Sequence, residues 1–198
     1  MNSFVDSVRW GLGGLWRFSG RDPARRFWPY AGLVVGLVMA AAAAMIVPIM
    51  STTFGRMQRF ALAHPDQATV TQGPGSYSIE IHGNHPELMP DMTPFFWTLG
   101  AAVAVAVVLL AGAVTRRLHD RGRRGWWGLP PVLFLAGGLT LFPRLFDSAA
   151  GGRTDASTME LFGLVFLNNM LYLASLGLLI FLLAGASEPK ENRFGPAS

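Results

Sequence analysis

The stretch Val114-Thr-Arg-Arg-Leu-His-Asp-Arg-Gly-Arg-Arg-Gly-Trp-Trp127 decides the fold. It carries Arg116, Arg117, Arg121, Arg123 and Arg124, five of the sixteen basic residues, and lies between two long apolar runs. Arginine is costly in hydrocarbon, and tryptophan favours the headgroup zone. The stretch therefore reads as a short basic loop (115–125) at a membrane surface, with a spanning helix entering from each side. Trp126 and Trp127 anchor it at headgroup depth.

Composition agrees. Of the 198 residues, 51% are hydrophobic and 14% are charged, against about 25% charged in soluble domains. A single membrane domain is expected over 1–198. The chain has no cysteine, so disulfides, thiolate metal sites and cysteine nucleophiles are excluded.

Upstream of the loop, residues 94–114 form an uncharged Ala/Val-rich span that begins with Pro94 and an aromatic belt, Phe95-Phe96-Trp97. Residues 27–50 form another; 24 residues at 1.5 Å each reach about 36 Å, enough to cross a core of about 30 Å. Its small residues Gly32, Gly36, Ala40 and Ala44 recur every four, a spacing that lets a second helix approach closely. An intramolecular contact is the expected use, and a homodimer face the alternative.

Before that span stand Arg21, Arg25 and Arg26, with Trp28 and Tyr30 as interface anchors. Asp22 is expected to cap a helix with Pro23 at its first position. Phe4, Val8, Leu12 and Leu15 recur at helical spacing, so 1–26 reads as an arm with an interfacial amphipathic helix, weakened by Gly11, Gly13 and Gly14.

Residues 51–93 read as a long polar loop. Tyr77-Ser-Ile-Glu-Ile-His82 alternates like a short strand, with Gly83-Asn84 as the turn after it. His64, His82 and His85 lie here among carboxylates, but no metal signature orders them, so no metal or cofactor is expected.

Downstream, 126–146 is a span with Gly137-Gly138 as a kink, and 161–184 is the last span. In it Asn168, Tyr172 and Ser175 share one face, with Asn169 beside it. These groups are expected to hydrogen-bond a neighbouring helix. The fold class is thus all-α membrane protein, with four transmembrane helices and an N-terminal interfacial amphipathic helix.

Segments 1–26, 115–125 and 185–198 hold twelve of the sixteen basic residues. The positive-inside bias puts both termini and the basic loop in the cytoplasm, and 51–93 in the periplasm.

Three stretches then take on meaning together: Phe18-x-Gly-Arg-x-x-x-Arg-Arg-Phe-Trp28, Arg116-Arg-Leu-His-Asp-x-Gly-x-x-Gly-Trp-Trp127 and Asn192-Arg-Phe-Gly-Pro196. With them the chain resembles the domain-of-unknown-function 805 family of small bacterial inner-membrane proteins. Phe194 stands where tyrosine is expected, and the 51–93 loop is long for the family. The resemblance implies an inner-membrane location and no particular activity. It also implies that the tail folds back on the basic loop, where Glu188 or Glu191 meets an arginine.

Three functions compete. The first is a non-enzymatic protein whose basic cytoplasmic surface binds anionic phospholipid or a protein partner. Its candidate residues are Arg21, Arg25, Arg26, Arg116, Arg117, His119, Asp120, Arg121, Arg123, Arg124, Trp126, Trp127, Asn192 and Arg193. The second is a transporter or channel subunit using Asn168, Asn169, Tyr172 and Ser175; no ionisable residue lies deep in a span to couple it. The third is a headgroup-level enzyme using His119 and Asp120, but adjacent helical residues do not face each other, and Asp120 is expected to pair with Arg116 or Arg124. The first is preferred. A homo-oligomer or a membrane-protein partner is compatible with it, and nucleic acid is not expected.

Overall fold

The computed structural model describes residues 3–83, 85–152 and 155–196. Asn84 of the expected turn, Arg153 and both extreme termini lie outside the described residues. Helix α1 (Ser3–Gly13) is followed by α2 (Ala24–Ala63), a hairpin of β1 (Ala68–Gly73) and β2 (Ser76–Ile81), α3 (Thr93–Asp120), α4 (Leu129–Ala150) and α5 (Ala156–Ala184). Single 3-10 turns cover Pro86–Leu88 and Gly125–Gly128.

Four of these helices, α2 to α5, are long and apolar enough to cross a membrane. The chain is a multi-pass membrane protein, and the many exposed Leu, Val, Phe and Met side chains along the spans are its lipid-facing surface. They run up and down. The starts of α2 and α4 and the ends of α3 and α5 meet at one end of the bundle. Phe96 of α3 meets Phe142 and Phe146 of α4 at the other.

Several boundaries differ from expectation. Helix α2 does not stop at 50 but runs thirteen residues further; its 40 residues span about 60 Å, twice a hydrocarbon core. Ser51 and Thr52 look like the start of a loop. Their hydroxyls instead donate back to Pro48 O (3.0 and 2.8 Å), a local bond that lets the helix continue. Polarity ends a membrane span; it does not end a helix. After α4, α5 begins five residues early, because the Asp155 carboxylate accepts from Thr158 N (2.9 Å) and caps it.

The expected strand is present as β2, and β1 is its unforeseen antiparallel partner, Thr69 facing Glu80 and Gly73 facing Ser76. The turn between them is Pro74-Gly75. Pro74 suits the first corner, and Gly75 at φ +79° supplies the left-handed second. Phe54 and Phe60, on the projecting part of α2, pack against Tyr77 and His85. His82 bonds Thr69, and His85 bonds Glu87. Among the described residues no three His, Asp or Glu side chains gather to hold a metal ion.

The small-residue stripe of α2 is not an intramolecular contact. A Cβ added at Gly32 or Gly36 would meet nothing within 4 Å. The close approaches lie elsewhere. A Cβ on Gly11 of α1 would strike the Tyr30 ring at 2.6 Å, and one on Gly112 of α3 would strike the Leu15 carbonyl at 2.6 Å. Gly11 and Gly14, two of the glycines that weaken the arm as a helix, are thus what let it press against α2 and α3. Ser7, Gly11 and Gly14 face the bundle, while Phe4, Leu12 and Trp16 stay exposed.

Gly137-Gly138 lies inside α4, which runs unbroken from Leu129 to Ala150. It opens room for Asn168 of α5, whose Nδ2 donates to Phe134 O at 2.9 Å. Ser175 bonds within its own helix, to Tyr172 O. Asn169 is exposed and, with Asn168 and Tyr172, borders a mainly apolar cavity of about 240 Å³.

The best-buried core sits at the end that holds both termini. It joins Phe27, Tyr30, Ala31 and Val34 of α2 to Ala113 and Leu118 of α3 and to Leu179, Leu182 and Leu183 of α5. Tyr30 Oη donates to Leu109 O (2.9 Å), which satisfies a hydroxyl that has no water to turn to.

Candidate functional site

Helix α3 carries its arginines out of the span and then stops on a glycine. Gly122 takes φ +65°, Gly122 N bonds His119 O (2.9 Å) and Arg123 N bonds Leu118 O (2.9 Å). This is the paired bonding of a Schellman motif, and it turns the chain back towards α4. The last helical turn is left facing the arm on one side and the tail on the other.

There it holds a buried ionic cluster. Asp120 accepts from Arg21 Nε (3.1 Å) and from Arg117 Nη1 (2.5 Å), and the Ser187 hydroxyl adds a third bond. Arg117 also donates from Nε to Leu183 O (2.9 Å) and from Nη2 to Gly185 O (2.6 Å), which ties off the last carbonyls of α5. Arg21 reaches across to the tail, donating to Glu188 O (2.5 Å) and Lys190 O (2.9 Å). Arg116 turns the other way. Its Nε donates to Asp22 Oδ2 (2.7 Å) and its Nη1 to Gly14 O and Arg17 O (2.5 and 2.6 Å).

Arg116, Arg117 and Asp120 are no more than 1% exposed. Three guanidiniums face two carboxylates, so the cluster carries one surplus positive charge. Removing one partner of a buried pair costs about 3–5 kcal/mol, because the other charge is stranded. The cluster therefore clasps arm, α3, α5 and tail into one arrangement.

The expected partners of Asp120, Arg116 or Arg124, are replaced by Arg117 three residues before it and by Arg21. Asp22 does not cap α2 either. Pro23 occupies the cap position without a side-chain bond, because the Asp22 carboxylate is engaged by Arg116 and by Trp10 Nε1 (2.6 Å). A guanidinium brings the carboxylate a full opposite charge as well as a hydrogen bond, which a helix-start N–H does not.

The tail folds back on the loop. Glu188 N bonds Asp120 O, Asn192 Nδ2 bonds His119 O (3.0 Å), Arg193 reaches Gly122 O (3.3 Å), and the Phe194 ring stacks on His119 at 3.8 Å. Among the described residues the Glu188 carboxylate makes no ion pair; it accepts from Asn192. His119 and Asp120 face different partners, so they do not form an acid–base dyad.

The candidate residues thus divide. Arg21, Arg116, Arg117 and Asp120 are internal fasteners, each bonded within the protein. Asn192 and His119 hold the tail. Arg121 lies over Gly185, half-buried. Arg25, Arg26, Arg123, Arg124 and Arg193 remain exposed, and Trp126, half-exposed, stacks on the more buried Trp127. Sequence reasoning missed Trp10, Gly14, Arg17 and Ser187 as parts of this end. Ser187 and Gly14 act largely through backbone geometry or one hydroxyl, which leave no pattern in sequence. Arg117 and Asp120 at i, i+3 were a usable signal.

The three sequence stretches noted at the outset converge here. Arg21 from the first, Arg116 to Asp120 from the second and Asn192 to Gly195 from the third all meet in or around the clasp. No curated protein and no solved structure matches the chain. Residues 15–196, which contain all three stretches, match the family described as protein of unknown function (DUF805). The chain belongs to that family.

Proposed function

We propose that this is a bacterial inner-membrane protein, with both termini and the basic 115–125 segment in the cytoplasm, that binds anionic phospholipid through a basic cytoplasmic surface and catalyses no reaction. The supporting observation is the set of cations left over once the clasp has taken its own. Arg17, Arg25, Arg26, Arg123, Arg124 and Arg193 are exposed at the same end of the bundle, alongside exposed Trp16, Trp28 and Trp126. Each basic residue beside an anionic leaflet contributes about 1 kcal/mol, reduced by salt, so six contribute a few kcal/mol. Tryptophan holds such residues at headgroup depth. The exposed apolar stripe of α1 fits a helix lying on that same surface.

Native mass spectrometry of the purified protein tests this. Retained cardiolipin or phosphatidylglycerol is expected, with less in the Arg123→Gln, Arg124→Gln double variant. Equal retention in the variant removes these two arginines from lipid binding. Reporter fusions after Ser198 and within 60–85 test the orientation. A cytoplasmic signal from the 60–85 fusion inverts it.

A further inference from the structure

The arm, the start of α2, the end of α3 and the tail enclose an open cavity of about 450 Å³. Its walls carry five arginines, Arg17, Arg21, Arg25, Arg26 and Arg116, and no carboxylate among the described residues. Two of the five are already neutralised, Arg21 by Asp120 and Arg116 by Asp22. The other three make no ion pair among the described residues. Like charges gathered around one space repel, and an anion in that space relieves them.

Two of the three, Arg17 and Arg26, are also positioned rather than loose. The guanidiniums of Arg17 and Arg26 both lie over the Trp10 ring, at 4.7 and 4.8 Å from its centre. Trp10 in turn is held by its bond to Asp22, the same carboxylate that orients Arg116. Beneath them Arg116, 1% exposed, keeps one nitrogen, Nη2, with no hydrogen-bond partner. A buried charged donor without an acceptor is costly, and here it belongs to a residue that lines the cavity. Exposed cations and an aromatic platform that spaces them surround one opening, and Arg116 brings a buried, unpartnered donor to its wall.

We infer that this cavity is a discrete binding site for a phosphate group, carried either by a lipid headgroup or by a small soluble phosphate ester. A phosphate monoester brings up to two charges and three free oxygens, which suits several planar guanidinium forks better than a carboxylate does. The lipid source rests on the proposed basic-surface function; the site itself does not. Trp10 and Asp22 act as positioning residues.

Glycerol 3-phosphate, titrated into the full-length protein in neutral detergent at constant ionic strength, tests the site. Saturable binding is expected. The Arg17→Gln, Arg26→Gln double variant is expected to bind about tenfold more weakly, the loss of roughly one charged hydrogen bond. Both side chains are exposed and outside the clasp, so this variant should fold. The Arg56→Gln, Arg59→Gln double variant, altered at the far end of α2, controls for net charge and should bind as the parent does.

Repeating the titration in nanodiscs assigns the source. If phosphatidic acid discs abolish binding of the soluble ester and phosphatidylcholine discs do not, the site takes a lipid headgroup. If both discs leave it intact, the site takes a soluble phosphate. Equal affinity in the Arg17, Arg26 variant, or no saturable binding in detergent and in phosphatidylcholine discs, overturns the site. Should lipid retention still fall in the Arg123, Arg124 variant, the basic-surface reading survives that result.

Discussion

At one end of the bundle Arg116, Arg117 and Asp120 are sealed from solvent by arm, helices and tail; at the other, a hairpin leans on the projecting end of α2 with most of its side chains exposed. The first end is held by charged groups with little freedom to rearrange. Each guanidinium has a named acceptor, and moving any one segment strands another's charge. The second end is held by a few ring contacts and a two-stranded ladder, which is marginal by itself. Buried charge adds little net stability, but it penalises wrong arrangements heavily. The sequence stretches that mark the family lie at the first end. The 51–93 segment builds the second.

The largest expected effect follows from breaking the clasp. Asp120→Ala leaves Arg21 and Arg117 buried without their shared carboxylate, at a cost of about 3–5 kcal/mol. The melting temperature in detergent should fall by on the order of 10 °C, on the scaling for chains of this size. The tail should become accessible to protease. A fall of only a degree or two would mean that the carboxylate is not what holds the tail.

Gly112→Ala comes next. Its new Cβ would lie 2.6 Å from the Leu15 carbonyl and 2.9 Å from that of Gly14. Both are backbone atoms, which cannot rotate away, so the arm must lift from α3. Overpacking of this kind costs about 1–3 kcal/mol. Faster proteolysis within residues 3–20 checks it, with a smaller loss of melting temperature than for Asp120→Ala.

The contrast between the ends also explains what the sequence disclosed. Four spans and an amphipathic arm were legible, because hydrophobic length and period are local properties. The extension of α2 was not, since Ser51 and Thr52 satisfy their hydroxyls on the helix itself. β1 does carry local signals, the β-branched run Thr69-Val70-Thr71 and the Pro74-Gly75 turn after it, but its alternation is weaker than that of β2. At the site, the arginines were legible as a group but not as individuals. Arg21 and Arg116 turn inward onto two lone acids, Asp120 and Asp22, about a hundred residues away along the chain. No periodicity encodes that.

Smaller effects are expected at the hairpin end. Gly75→Ala places a side chain at φ +79°, a cost of about 1 kcal/mol confined to the turn. Proteolysis within 68–81 should quicken while the melting temperature of the helical bundle stays put. A large drop in that melting temperature would show that the two ends are coupled after all.

Acid should act on the same end. The Thr93 backbone N–H holds the Asp91 carboxyl below its usual range, and the Glu87 carboxyl is lowered by its own backbone N–H and then by His85. A lowered folded-state value means that the stabilisation is present above the ordinary carboxylate range and is lost as pH falls through the lowered one. Hydrogen exchange across 87–93 should rise at the acid end of that window. Both groups are exposed, so the change should be slight and local.

The smallest expected effect tests the outward stripe of α2. A Leu at position 36 would be destructive if Gly32, Gly36, Ala40 and Ala44 packed on a neighbouring helix of the same chain. They do not: the space beside Gly32 and Gly36 is open, and all four residues are exposed. In a lipid-facing position Gly36→Leu removes a glycine from a helix interior, which is mildly favourable, and adds an apolar side chain to a surface already made of them. The melting temperature should therefore stay level or rise slightly, and the mass of the detergent-solubilised particle should not change. If the particle instead shrank by half, the stripe would be the seam between two copies, and its open space would be where the second copy packs.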